Sequence, residues 1–410
     1  MNKRNTFNFI DLFAGCGGLS EGFYMENFYS LAHVEIDKDA CETLKKRMNY
    51  YNYTENEITK SVLNVDITSD NILELLDESV GNKEVDVIIG GPPCQSFSSL
   101  GRAKDQNAMQ DDPRNYLFES YVKILNHFKP KFFVFENVTG ILTAKLNGKL
   151  IIEEIISKLS ENYKVNFTPK MIVLNSVNYG VPQLRKRVII IGVRNDINIT
   201  PDEIYASIEP THYDTDYLPS KDLKKYVTVA EAISDLPTLL PGQGKELVEF
   251  KIKETNDYIK RIRRSDFKLI YNHVARTHND KDIQRYTEMS KNKWTLTELY
   301  ENRPDLIHEK KRLFKNSYVV QVFDLPAKTI IAHLYKDGNQ FIHPDYRQGR
   351  TFTAREAARI QSFPDDFIFM GSRTQQYKQI GNAVPPLFAN SIAKSIKKYL
   401  LKVVCTKEEI

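Results

Sequence analysis

The chain has 410 residues, enough to bury a large core and, on length, to form two domains. Hydrophobic content of 41% and charged content of 27% exclude a disordered or fibrous chain, and no apolar run reaches membrane-spanning length. The net charge of +4 is too small to identify a nucleic-acid partner, so that argument has to come from local clusters. Cys16, Cys41, Cys94 and Cys405 form no CxxC pair and have no histidine at metal-ligand spacing, which reads as free thiols in a reducing compartment and no metal site. Met1-Asn2-Lys3-Arg4-Asn5 has no apolar stretch behind it, so no signal peptide and a cytoplasmic location are expected.

Residues 7–13 read as a strand, Ala14-Gly15-Cys16-Gly17-Gly18 as a glycine turn and residues 19–23 as a helix start. Strand, glycine turn, helix is the nucleotide-cradling element of a Rossmann-like sheet, although a glycine turn alone is also a common structural device. A second strand, 31–37, ends in an acid about 20 residues beyond the glycines, where a carboxylate commonly takes ribose hydroxyls. A third, 61–67, carries Asp66 at its end, placed to accept from an adenine amino group. Either acid alone reads as a helix N-cap or a solvated strand end. With the glycine turn, at successive strand ends, they read as an adenosine pocket. The glycine spacing departs from GxGxxG, which argues against a dinucleotide and a hydride-transfer enzyme.

Residues 85–89 form an apolar, β-branched strand, followed by Gly90-Gly91-Pro92-Pro93-Cys94-Gln95-Ser96-Phe97-Ser98. The glycines allow a tight turn and the prolines stiffen the step that carries Cys94. A thiolate at the carboxyl end of a sheet strand is a candidate nucleophile; the bland alternative is a small buried cysteine beside a turn. Residues 96–114 are polar and aperiodic, as in a lid. A helix is expected over 115–127, then a strand over 131–135 ending in Glu136-Asn137-Val138. Glu136 at that rim is a candidate general acid, or else a salt-bridged strand end. A helix over 148–159 and strands over 165–167 and 171–174 follow. In Gln183-Leu184-Arg185-Lys186-Arg187 strand alternation puts Gln183, Arg185 and Arg187 on one side, either converging on planar oxygens or lying on a surface strand.

Together these stretches resemble the DNA (cytosine-5) methyltransferase family. The matching pieces are Asp11-Leu12-Phe13-Ala14-Gly15-Cys16-Gly17-Gly18, Gly91-Pro92-Pro93-Cys94-Gln95-Ser96-Phe97-Ser98, Glu136-Asn137-Val138 and Gln183–Arg187. Arg355-Glu356-Ala357-Ala358-Arg359 and Gln379-Ile380-Gly381-Asn382-Ala383-Val384-Pro385 follow, in family order. The resemblance implies a Rossmann-like α/β methyltransferase sheet with a smaller target-recognition domain. It also implies S-adenosylmethionine as methyl donor and double-stranded DNA as substrate, with the target base flipped out of the duplex. By family position Cys94 is the nucleophile, Glu136 protonates cytosine N3, and Arg187 meets cytosine O2 with Arg185 beside it. Phe13, Gly15, Cys16, Gly18, Glu35, Ile36, Asp66, Ile67, Pro93, Leu117, Asn382 and Val384 match cofactor positions, and Gln95, Ser98 and Arg102 match DNA contacts. Leu100 departs from the family, some members of which carry a small polar residue there to fill the gap left by the flipped base.

The implied layout is a catalytic and cofactor domain over 1–194, target recognition over 195–370, and a last segment, 371–410, returning to the first domain. Residues 195–222 are proline-containing and loop-rich, and 227–233 read as a short helix. Residues 240–345 are polar, basic and aromatic. Arg263 and Arg264 in Lys260-Arg261-Ile262-Arg263-Arg264, and the run Lys310-Lys311-Arg312, are phosphate-contact candidates, although such runs are commonly solvated faces. His273, Arg276 and His278 are side-chain types that can meet base edges. Thr353 and Glu356 are spaced as a helix capping box, and a final helix is expected over 375–402.

The expectation is a monomeric methyltransferase of a bacterial restriction–modification system, paired with a restriction endonuclease of the same site. A tRNA cytosine-5 methyltransferase of the related branch is the alternative, disfavoured by the long variable region and the lack of a Cys-Phe-Thr tripeptide. A catalytically silent DNA-binding protein on the same fold is disfavoured by intact Cys94, Glu136 and Arg187.

Overall fold

The computed structural model of the chain describes residues 7–93, 116–146, 148–216, 222–250, 255–308 and 317–408. It divides into two compact units: Met1–Ser176 with Lys186–Pro210 and Pro386–Ile410, and Val177–Arg185 with Thr211–Pro385. Residues 195–210 therefore fall in the first unit and 371–385 in the second.

The first unit is built on a mixed sheet. Its strands are β1 (Asn8–Leu12), β2 (Tyr29–Glu35), β3 (Val62–Asn64), β4 (Val87–Gly90) and β5 (Phe132–Val138). These five run parallel in the order β3-β2-β1-β4-β5. A small hairpin, β6 (Lys145–Leu146) and β7 (Lys149–Leu150), lies apart from the sheet. β8 (Tyr163–Val165), β9 (Val173–Asn175) and β10 (Lys186–Arg194) complete the sheet, with β10 antiparallel to β5, β8 and β9. Ile88, Phe132 to Phe135 and Val188 to Ile191 have no exposed surface. Strands covered on both faces read as unbroken apolar runs, which is why these are legible as strands.

This topology makes one rim of the sheet chemical. Parallel β1, β2, β4 and β5 end there at Leu12, Glu35, Gly90 and Val138. Antiparallel β10 begins at the same rim, with Arg187 paired to Val138 and Ile189 to Glu136. Helices α1 (Gly18–Met25), α2 (Lys38–Tyr50), α3 (Glu55–Ser61) and α4 (Ile72–Val80) follow the first strands. The chain's last helix, Pro386–Glu408, packs on α1. A Cβ at Gly22 would stand 2.4 Å from the Ala389 carbonyl carbon, so only glycine permits that approach, and Asn390 Nδ2 donates to Glu26 Oε1 at 3.0 Å.

Several elements differ from expectation. The single helix over 375–402 is two, Arg373–Asn382 in the second unit and Pro386–Glu408 in the first. Pro385 and Pro386 force the break, because neither has an N–H to donate and each keeps its predecessor out of helical conformation. The strand over 165–167 lies earlier, as β8, and residues 169–172 form a helical turn before β9. β3 stops at Asn64, leaving Asp66 in the turn beyond it. β10 starts at Lys186, so Gln183 and Arg185 precede the strand and do not share its face with Arg187.

The second unit has a hairpin of strands Gly244–Glu249 and Leu269–Val274, a helix Asp280–Asn292 and a buried helix Ala354–Ile360 capped by Thr353. Its interior is ionic. Arg359 pairs with Asp365 at 2.8 Å and with Asp235, Arg350 with Glu356 at 2.7 Å, and Arg263 with Asp365 at 3.0 Å. Burial alone would raise Glu356 and Asp365, but the charges and hydrogen bonds of Arg350 and Arg359 hold both carboxyls below their ordinary range. Arg355 donates to the carbonyls of Tyr271, Pro364 and Phe367, and burial, against the charge of Asp365, lowers it to about 10. Among the described residues no helix is long and apolar enough to cross a membrane.

Candidate active site

The half of the rim expected to hold the cofactor begins at the turn after β1. Phe13, Gly15 and Gly17 all have positive φ, at 60°, 56° and 87°. Glycine adopts this conformation without strain, while Phe13 holds it as a rare exception. The turn is closed from across β2: Gly15 N–H donates to Glu35 Oε2 at 2.8 Å and Asp37 N–H to Glu35 Oε1 at 2.7 Å. Burial raises Glu35, opposed by those two N–H bonds. Each carboxylate oxygen is thus oriented by the backbone and retains acceptor capacity. Ile36 beside it is 66% exposed, an apolar side chain left open on the rim. Among the described residues, a Cβ at Gly15 would meet nothing within 4 Å.

Asp66 is exposed, and its Oδ1 accepts from Thr68 N–H at 2.9 Å and Thr68 Oγ1 at 2.7 Å. Those two bonds, the backbone one first, lower its carboxyl. Ile67, Cys16 and Gly18 are buried, and burial pushes the Cys16 thiol far up, which makes it inert packing. Beneath the turn, buried Asp11 accepts from Ser20 Oγ at 2.5 Å, and His33 joins Ser20 and Tyr24. Burial, against that Ser20 bond and with the charge of Glu35, pushes Asp11 up to about 7; burial takes His33 down to about 3.

The other half lies at the ends of β4 and β5. Glu136 Oε1 meets Arg187 Nε at 3.0 Å, with the two side chains 13% and 11% exposed. Burial lowers Arg187, and Glu136 opposes that. Gly91, expected only as a turn residue, and Asn137, given no role of its own from the sequence, shape this corner. A Cβ at Gly91 would stand 2.6 Å from Glu136 Oε2, so the glycine is the carboxylate's clearance. Asn137 Nδ2 donates to the Pro92 carbonyl at 3.1 Å, while its Oδ1 accepts from Val138 N–H at 2.9 Å. The second bond fixes which end of the amide faces Pro92, and so pins the step before Cys94. A small polar residue directly after a strand-end acid was the available signal.

Pro93 and Leu117 are half-buried. Cys94, Gln95, Ser98, Leu100, Arg102, the 96–114 segment and Lys310-Lys311-Arg312 lie outside the described residues. Asn382, exposed, and Val384, buried, belong to the second unit. Arg185 is also there, 2% exposed, with its guanidinium on main-chain carbonyls.

The expected readers of DNA in the second unit are mostly internal. Arg263 is locked to Asp365 and the Phe267 carbonyl. His273 is 2% exposed, bonded to Thr353 Oγ1 and the Pro237 carbonyl at 2.9 Å each, and burial lowers it. Arg276 is buried, lies 4.1 Å over the Tyr377 ring and donates to the carbonyls of Leu334, Tyr335 and Lys336. His278 packs edge-on against Tyr286, and burial and the charge of Arg276 lower it to about 4. Arg264 is the exposed member, paired with Asp266 at 2.9 Å. Arg263, His273 and Arg276 are thus buried and bonded within the second unit. Their polarity is used inside because the fold leaves loop carbonyls there to satisfy.

A parallel sheet extended by an antiparallel strand beside β5 is the sheet of Rossmann-like S-adenosylmethionine-dependent methyltransferases, and the fold is of that class. A prophage-encoded candidate DNA modification methyltransferase of E. coli superposes with a TM-score of 0.68 at 24% identity, covering 96% of this chain and 99% of that one. The chain itself belongs to the C-5 cytosine-specific DNA methylase family, whose description matches residues 7–398. It is 38% identical to the type II methyltransferase M.DdeI of Desulfomicrobium norvegicum, over 96% of this chain and 89% of that protein. It is 35% identical to the type II methyltransferase M.Bpa9945I of Bacillus paralicheniformis, over 95% and 98%. The chain is a DNA (cytosine-5) methyltransferase.

Proposed function

We propose that the protein methylates C5 of a flipped cytosine within one short sequence of double-stranded DNA, through a covalent Cys94–C6 bond, and so protects host DNA from a restriction endonuclease of the same site. The observation that carries this reading is the corner of Glu136, Arg187, Gly91 and Asn137, which sets an acid and a guanidinium beside the step leading to Cys94. Cytosine C5 is too weak a nucleophile to take a methyl group unaided. The Cys94 thiolate adds to C6 while the Glu136 carboxyl gives its proton to N3, which places electron density on C5. Arg187 meets O2 and holds the ring in plane. After C5 is methylated it gives its proton to a base such as water, the C6–S bond breaks to return the thiolate, and N3 returns its proton to Glu136.

S-adenosylmethionine, when bound, supplies the electrophilic methyl group. The residues present fit it: Glu35 offers two backbone-oriented oxygens to a ribose diol, Ile36 an apolar face to a purine, and Asp66 a carboxylate to its amino group. Phe13, Gly15 and Gly18 form the turn against it. Pro93, Leu117, Asn382 and Val384 are assigned by family position. A monomer working beside a separate endonuclease completes the proposal.

The test uses duplex DNA carrying 5-fluorocytosine, whose C5 cannot lose a proton after methylation. Wild-type protein is expected to remain bound through denaturing electrophoresis, and Cys94→Ala to leave none. Bisulfite sequencing of unmethylated DNA after treatment identifies the protected motif. Methylation without a trapped adduct would refute the covalent route, and methylation without any sequence motif would refute the protective role.

A further inference from the structure

We propose that Arg185 is a positioning residue which, with Gln183 and Gln361, sets the backbone of residues 380–384 for the cofactor and touches neither the base nor the methyl donor. The inference rests on the proposed cofactor role of Asn382 and Val384. Every contact it uses lies within the second unit. The helix Arg373–Asn382 ends just before Ala383-Val384-Pro385. The last carbonyls of a helix have no partner within it, and prolines beyond cannot supply one. Here side chains supply the donors. Arg185 donates to Ala383 O at 2.9 Å and Gly381 O at 3.4 Å, and Gln361 Nε2 to Ile380 O at 2.6 Å. A guanidinium at this end of a helix also opposes the helix dipole.

Arg185 is in turn fixed from below. It donates to Ile330 O at 2.5 Å, and Gln183 Oε1 accepts from Ile330 N–H at 2.7 Å. Gln183 Nε2 donates to Gln361 Oε1 at 2.8 Å, and Thr329 Oγ1 to Leu184 O at 2.5 Å. Gly381 has no room for a side chain, since a Cβ would stand 2.5 Å from Ala332 N. The segment that carries Asn382 and Val384 is therefore held from its carbonyl side by Arg185 and Gln361, and from Ala332 by contact. Arg185 is 2% exposed, and both of its terminal nitrogens are spent on main-chain oxygens, which favours holding this segment over meeting a flipped base.

The experiment is binding of S-adenosylmethionine to the full chain without DNA, by calorimetry. With no base present, a residue that serves the base cannot change this affinity. Arg185→Ala is expected to weaken it by roughly tenfold or more, because several buried carbonyls lose their donor. Arg185→Lys, whose single ammonium cannot span the same carbonyls, falls between. Thr329→Val, which keeps its shape, shifts affinity in the same direction by less and serves if Arg185→Ala does not fold. Asn382→Ala separates the two readings. If it weakens binding while Arg185→Lys and Thr329→Val leave it unchanged, the positioning role is wrong and the cofactor reading stands. If Asn382→Ala itself has no effect, the cofactor reading of that segment fails. A lower kcat in Arg185→Lys with wild-type cofactor affinity would return Arg185 to the base.

Discussion

Gly91→Ala tests the catalytic corner with a single methyl group. The added Cβ would lie 2.6 Å from Glu136 Oε2, and the Glu136 carbonyl oxygen stands 3.3 Å away behind it. Ordinary contact begins near about 3.4 Å, so the carboxylate must retreat by about 0.8 Å. It cannot do so freely, because Arg187 Nε holds the other oxygen at 3.0 Å in a nearly buried pair. Moving either end forfeits a charge-assisted hydrogen bond, about 1.5–3 kcal/mol. A misplacement near 1 Å at a reacting group costs on the order of 100-fold in rate. Single-turnover methyl transfer by Gly91→Ala is therefore expected to fall about 100-fold. Affinity for S-adenosylmethionine without DNA should stay within about twofold, since Gly15 and Glu35 are untouched. A variant that turns over within about threefold of wild type would show that Glu136 does not need its observed place, and the acid role would lose its structural support.

Three further outcomes follow from the same contacts. Asn137→Ala leaves the Pro92 carbonyl without its donor, a loss of about 1–3 kcal/mol. Methyl transfer should drop roughly tenfold or more with cofactor affinity kept, and an unchanged rate would mean the Pro92 step is held by other means. Gly22→Ala drives a methyl into the backbone of Ala389 and should cost about 1–3 kcal/mol in chemical denaturation, with no effect expected only if the last helix can shift. Asp11→Asn should remove a pH dependence. Folded Asp11 keeps its proton up to about 7, whereas the unfolded group ionises near 3.8, so the folded state binds the extra proton between those limits. Its contribution to stability falls as pH rises through that window, by about 4 kcal/mol in full. Asn at that position has no such slope, so the variant should gain about 2–3 kcal/mol on wild type between pH 5 and pH 7. Parallel stability curves would mean Asp11 ionises in the folded chain as it does unfolded.

The sheet was legible because strands buried on both faces announce themselves as apolar runs, and the rim was legible because its acids and glycines follow those runs directly. Short range limits the rest. Glu35 was assigned by its distance from the glycines, but that its two oxygens close the glycine turn and cap the next step depends on β1 and β2 being neighbours. Gly91 looked like a turn residue; its contact with Glu136 is set by the pairing of β4 with β5, which no local pattern encodes. The same limit applies to His273 and Arg276, whose burial has no local signal. Their side chains suit base edges, but they suit buried polar partners equally well, and the paths of distant segments place those partners: Pro237 and Thr353 for His273, residues 334–336 for Arg276. The helix expected over 375–402 breaks at Pro385 and Pro386, a backbone rule that is itself local.

Arg185 and Arg187 show why a motif of like residues need not be a motif of like roles. They are two positions apart, and strand alternation alone would aim them together. β10 begins between them, at Lys186, so only Arg187 inherits the sheet rim. The partners then separate the two. Arg187 faces a carboxylate on a rotatable side chain, which can turn to a substrate nitrogen and leave the guanidinium for a substrate oxygen. Arg185 faces main-chain carbonyls at a helix end, and those cannot leave without unwinding the segment they belong to. An arginine of the first kind can enter a reaction, while one of the second kind can only hold the place where a reaction happens. Arg355 is likewise of the second kind, with its guanidinium on the carbonyls of Tyr271, Pro364 and Phe367 inside the second unit. Charge in this sequence therefore locates chemistry only where its partner is free to be exchanged.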